Sequence, residues 1–117
     1  MVKELVQRVF SARNCTHLQH WNTSSYAEHM ALGDFYDEVI DLIDSFVEAY
    51  QGSNSKIGKV EMKDMSGKSV ISCLEDDAVW IAVNREKISG GVAALENTLD
   101  EITDLYLKTI YKLKFLK

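Results

Sequence analysis

The 117-residue sequence contains no proline. Proline interrupts helix interiors by removing a backbone donor and clashing with the preceding turn, so nothing here forbids a few long helices. Long apolar runs are missing too: none approaches the roughly 18–20 residues that span a bilayer. The opening MVKELVQRVF alternates charged and apolar residues. A secretory signal would show a basic start and then an unbroken apolar stretch, so residence in a cytoplasm is expected, with no membrane partner. Cysteine is scarce: Cys15 and Cys73 are far apart and form no CxxC pair, which in a reducing compartment reads as two buried thiols rather than a disulfide. Positive charge is also in short supply. A net charge of -5 argues against nucleic acid as the main partner, because such binding draws on clustered Lys and Arg. Lys108, Lys112, Lys114 and Lys117 are the local exception, read as cations favoured by a helix C-terminus.

What the sequence does contain is helical periodicity. Segment A covers about 2–21, with Val2, Leu5, Val6, Val9 and Phe10 on one stripe. Extending that stripe at about 100° per residue brings Arg13, His17, His20 and Trp21 onto or beside it. Asn22-Thr23-Ser24-Ser25 breaks the helix, and Ser25 with Glu28 has the form of a capping box. Segment B covers about 26–51. Its apolar face carries Phe35, Val39, Leu42, Ile43, Phe46, Val47 and Tyr50, and its acidic face Asp34, Asp37, Asp41, Asp44 and Glu48. Gly52 is placed to end it. Residues 52–68 form a loop. Segment C covers about 70–88, with Val70, Leu74, Val79, Ile81, Ala82 and Ile88 apolar, and Glu75-Asp76-Asp77 suiting a helix N-terminus. The run VWIAV leaves a strand open there. Segment D covers about 92–116, with a seam of Leu95, Leu99, Ile102, Tyr106, Thr109, Leu113 and Leu116 spaced by four and three. Short A–B and C–D links make antiparallel neighbours, and the long B–C link can cross over. The expected fold is a single all-α domain over 1–117, an antiparallel four-helix bundle.

The residues with chemistry are concentrated. His17 and His20 share a face of segment A, three apart, and His29 begins segment B. Asp44 and Glu48 share a face further along B, four apart. Imidazoles with helix-borne carboxylates are a set that iron, manganese or zinc accepts. The plainer reading treats the histidines as hydrogen-bonded core or interface residues and the acidic face as solvated. No ExxH or HExxH motif is present, so carboxylates would have to come from a partner subunit or from elsewhere in the fold.

The stretch HLQHWNTSSYAEHMALGDFYDEVIDLIDSFVE, His17 to Glu48, resembles the opening helices of the Dps proteins, the ferritin-like miniferritins. The likeness rests on the triplet His20-Trp21-Asn22, on His29, and on the pair Asp44 and Glu48 at the family's spacing. It implies a ferritin-like bundle and an intersubunit site. There His20, His29, Asp44 and Glu48 would hold iron, His17 would be an added ligand or support, and Trp21 would pack beside them. Ferroxidase activity would need two irons held together with an open position for oxygen or peroxide. A homo-oligomer, at least a dimer, is implied. Gly33 stands where the family carries a further acidic ligand, with Asp34 beside it. The whole chain also resembles small uncharacterised tailed-phage proteins, through TH-x-x-H, SYA-x-H-x-AL and the closing run Ile110 to Lys117. That likeness implies a host cytoplasm and opens the alternative of a metal-free helical module for oligomerisation or partner binding.

Overall fold

The computed structural model describes residues 1–64 and 67–117; the part of the expected 52–68 loop at positions 65 and 66 lies outside the described residues. Four helices follow one another: α1 (Val2–Asn22), α2 (Tyr26–Ser53), α3 (Val70–Ser89) and α4 (Ala93–Phe115). The strand left open for VWIAV does not form, because those residues lie inside α3. Its N-cap is Ser69, whose hydroxyl accepts from the Ser72 N–H at 3.2 Å. The helix ends on Gly90 at φ 61°, a left-handed cap that glycine adopts without a Cβ penalty.

Two expected helix signals are corrected. Gly52 does not end α2, which runs to Ser53 with Asn54 as its C-cap. The final carbonyls are met instead by polar groups: Tyr50 O accepts from the Asn54 side chain at 3.2 Å and from its backbone N–H at 2.9 Å. Only half of the capping box at Ser25 forms. Ser25 Oγ accepts from the Glu28 N–H at 3.2 Å, while the Glu28 carboxylate turns to Gln19 at 3.0 Å, tying α1 to α2.

Each helix packs on two neighbours: α1 on α2 and α3, and α4 on α2 and α3. Side-chain contacts give the directions. Lys114 near the end of α4 pairs with Glu75 near the start of α3 at 2.7 Å, and Lys112 approaches Asp34 of α2 at 3.9 Å. One groove gathers Gln19, Glu28, Val70 and Leu113, so the ends of α1 and α4 meet the beginnings of α2 and α3. The bundle is therefore up-down-down-up, with the end of α2 and the start of α3 at opposite ends of it.

The core holds Leu5, Val9, Leu32, Phe35, Val39, Phe46, Leu74, Ile81, Leu99, Ile102 and Tyr106, among others. The seam expected on α4 is buried from Leu95 to Leu113, with Leu116 outside it. On α1 the buried stripe continues through Ala12 and Thr16 rather than through Arg13 and His17, which turn toward α2. On α3, Val79 is 63% exposed, and Cys73, Asp77 and Ala78 take inward positions. Glu75-Asp76-Asp77 does not open α3, which begins at Val70 with no acidic residue in its first turn.

Asp77 is instead the polar centre of the core, 3% exposed. Arg8 Nη1 donates to Oδ1 at 3.0 Å, and the Tyr106 hydroxyl donates to Oδ2 at 2.9 Å. Arg8 also pairs with Glu4 at 3.1 Å and lies over the Trp80 ring at 4.8 Å. Burial raises the carboxyl from 3.8 to about 6, with the Arg8 and Tyr106 bonds pulling against it. A carboxyl with a folded pKa above its unfolded one favours the fold fully below about 3.8 and loses that contribution as pH rises to about 6. The loss is at most about 3 kcal/mol for a shift of this size. Urea unfolding of wild type and Asp77→Asn between these pH values should therefore diverge, the wild type losing stability with rising pH relative to the variant. Parallel profiles would remove Asp77 as the titrating group.

Candidate functional site

The junction of α1 and α2 is built by a three-residue link. Thr23 Oγ1 accepts from the Ser25 N–H at 3.1 Å, and Ser25 caps α2. This tight reversal sets the last turn of α1 against the first turn of α2, and so places His20 opposite His29. Their rings stack with centroids 3.6 Å apart and planes 17° from parallel. His20 Nδ1 lies 2.6 Å from the carbonyl oxygen of His29, and His29 Nδ1 lies 2.8 Å from that of His20. A carbonyl can only accept, so both Nδ1 atoms carry protons. One of these bonds answers a need of the helix end, since the last carbonyls of α1 have no intrahelical donors.

The consequence falls on the other nitrogens. In a neutral ring protonated at Nδ1, Nε2 holds the lone pair. Neither Nε2 has a hydrogen-bond partner among the described residues, whereas every buried side-chain nitrogen or oxygen there does have one. Both Nε2 atoms therefore remain within reach of solvent. A ring anchored through Nδ1–H to a backbone carbonyl, with Nε2 presented outward, is how a ligating histidine is held.

Gly33 lets the His20 ring lie close against α2. A Cβ built there would lie 3.1 Å from His20 Cε1 and 3.3 Å from Nδ1. The acidic ligand that the Dps likeness puts at this position would press its Cβ on the His20 ring and make it shift by a few tenths of an ångström, and Asp34 beside it is exposed and directed toward Lys112.

His17 joins a neighbouring aromatic group instead of the stacked pair. Its ring lies 4.0 Å from Tyr36 at 13°, and 4.6 Å from Trp21 in a tilted contact. Tyr36 meets His20 edge-on at 5.3 Å and carries the Arg13 guanidinium at 5.5 Å. Trp21 is 69% exposed. Tyr36 was not apparent as part of the site in the sequence; its position seven residues after His29, on the same helix face, was the available signal.

Asp44 and Glu48 lie together on the exposed side of α2. A shared hydrogen bond with Asp44, and then the repulsion of its charge, raise the Glu48 carboxyl. Beside them a groove of about 180 Å³ runs between α1 and α2, lined by Val6, Phe10, Ile40 and Val47. Asp44 is fifteen positions beyond His29, or about 22 Å along a helix. The fold thus gathers the three histidines at one place and the two carboxylates at another. Among the described residues no group of three or more His, Cys, Asp or Glu side chains is arranged to hold a metal within one chain.

Gly33→Ala tests the close packing directly. Alanine favours the helix by about 1 kcal/mol, so the variant should fold, yet its methyl group must displace the His20 ring. Long-range 1H–15N spectra should show the paired Nδ1–H signals of His20 and His29 altered together. Unchanged imidazole signals would mean that the rings do not depend on position 33.

Residues 20–113 match the family DUF5856, described as a family of unknown function. An uncharacterised 14.6 kDa protein from the mobD–ri intergenic region of Enterobacteria phage T4 is 27% identical over 110 residues, covering 94% of this chain and 85% of its own length. This relative agrees with the resemblance to small tailed-phage proteins. No solved structure matches the chain.

Proposed function

This chain belongs to the DUF5856 family, and from its geometry we propose a ferritin-like, Dps-like metal-binding protein whose iron site forms between two copies. The observation that carries the reading is the pair His20 and His29, with both Nδ1 atoms held by carbonyls and both Nε2 atoms available. The up-down-down-up order of the helices, with its long crossover, agrees with a ferritin-like arrangement.

The carboxylates come from the second copy in this reading. His29, Gly33, Tyr36, Ile40, Asp44 and Glu48 follow one another at helical spacing along one side of α2. Gly33 and Tyr36 on this side already meet α1, so the second copy would seat on the rim of the α1–α2 groove; with its α2 antiparallel there, His29 meets Asp44 when the two-fold axis passes between positions 36 and 37. A two-fold contact then makes both sites at once. Phe10 and Ile40 beside the groove supply apolar surface near that axis. Two imidazole nitrogens and two carboxylates suit iron, and also zinc or manganese. Bound iron would supply the electron for reducing oxygen or peroxide. The chain's own part is to hold the rings by His20 O and His29 O, to crowd the site with Trp21 and Tyr36, and to bring two carboxylates whose mutual repulsion a cation relieves.

The same bonds favour a second reading. Both Nδ1 protons are satisfied within one chain, so the stacked pair also works as a clamp between α1 and α2 in a metal-free oligomerisation or partner-binding module.

Aerobic Fe(II) loading followed by elemental analysis separates the two. Wild type should retain iron, and His20→Ala and Asp44→Ala should each lose it. Random mixing of the two variants should then restore about a quarter of the sites, because each mixed dimer contains one intact site and one doubly broken one. Wild type without iron would leave the clamp. Iron retained by either single variant would place the metal elsewhere.

A further inference from the structure

We propose that Cys15 and Cys73 form a reversible disulfide that staples α1 to α3 when the protein meets a peroxide. Far apart in sequence, the two residues are neighbours in the bundle. Arg8 and Asp77 fix the facing sides of the antiparallel pair α1 and α3. Seven positions forward from Arg8 on α1 is Cys15, about two turns along the same side. Four positions back from Asp77 on α3 is Cys73, about one turn along its side. The two thiols lie close enough there for Cys15 to bear on the ionisation of Cys73.

Their surroundings differ and assign them different parts. Cys15 is half-buried and lines an open cleft of about 290 Å³ with Ser11, Asn14, Leu18, Met62 and Lys63. Cys73 is 5% exposed, and its thiol is pushed up to about 12, first by burial and then by the charge of Asp77. A thiolate is the reacting form, so Cys15 is the sulfur that meets the oxidant. Its thiolate attacks one peroxide oxygen, the O–O bond breaks, and the departing hydroxide takes up the proton released by the thiol and leaves as water. The product is a sulfenic acid at Cys15. The Cys73 sulfur then displaces the sulfenic oxygen, which leaves as water with the Cys73 proton. Two thiols and one hydrogen peroxide become one disulfide and two waters, the sulfur pair giving up the two electrons that reduce the peroxide. A dithiol reductant reverses it by exchange.

The bond would reinforce the slimmest of the four neighbouring helix pairings among the described residues, that of α1 on α3. It would also close a long chain loop, which constrains the unfolded state.

The test uses the full chain, metal-free in chelator, so that its result does not depend on the iron site. After treatment with hydrogen peroxide and alkylation, the intact mass should fall by two hydrogens, and digestion should yield one linked peptide pair containing Cys15 and Cys73. The melting temperature should rise by roughly 5–15 °C and return on reduction. Cys15→Ser should abolish both changes. Cys73→Ser, or Cys73→Ala if serine prevents folding, should leave a sulfenic acid at Cys15 that dimedone captures. Overoxidised Cys15 without a cross-link, Cys15 joined to Cys15 of another copy, or thiols that survive the peroxide would each overturn the proposal.

Discussion

A carboxylate enclosed by helices must be met by donors, and that demand on Asp77 sets the register of three of the four helices. Leaving one member of a buried ion pair alone costs about 3–5 kcal/mol, so α1 must present Arg8 and α4 must present Tyr106 at the same level of α3. Once Arg8 is turned to α3, the rest of α1 is committed. Cys15 falls on the same side, while Arg13, His17 and His20 are rotated toward α2. The aromatic group and the stacked imidazoles thus depend on a polar contact in the first half of α1.

The helices were legible because their spacing of apolar residues is strong and proline is absent. The interior of α2 and the seam of α4 were read residue by residue from Phe35 to Phe46 and from Leu95 to Leu113. What could not be read was rotation within a few tens of degrees. The stripe of α1 passes through Ala12 and Thr16, and only the packing on α3 decides this against Arg13 and His17. Asp77 escaped notice because three consecutive acidic residues look solvated. Its spacing of three after Leu74 and four before Ile81 placed it inward all the same. Gly52 misled because a glycine near a helix end is a stop signal only when the chain turns left-handed there, and Ser53 and Asn54 supplied the cap instead.

The candidate site was half legible. Spacing along one helix gives the grouping of His17 with His20 and of Asp44 with Glu48. It cannot give the meeting of His20 with His29, which depends on how tightly residues 23–25 reverse the chain. Nor can it give the demand that this meeting places on Gly33, whose missing side chain is the space that the His20 ring fills. The two imidazole–carbonyl bonds are also reciprocal: each ring is anchored by the backbone carbonyl of the residue whose ring stacks on it, so the pair ties the end of α1 to the start of α2 twice.

The long return of the chain between α2 and α3 has an electrostatic result. It lets every neighbouring pair of helices run antiparallel, with the parallel pairs on the diagonals. Each helix end carries about half an elementary charge, positive at its start and negative at its finish. At each end of the bundle these half-charges therefore alternate around the square, and the four macrodipoles cancel along the axis. With little net axial dipole left from the backbone, the long-range potential that an approaching ion or partner meets is set by side chains, among them the acidic ridge from Asp34 to Glu48.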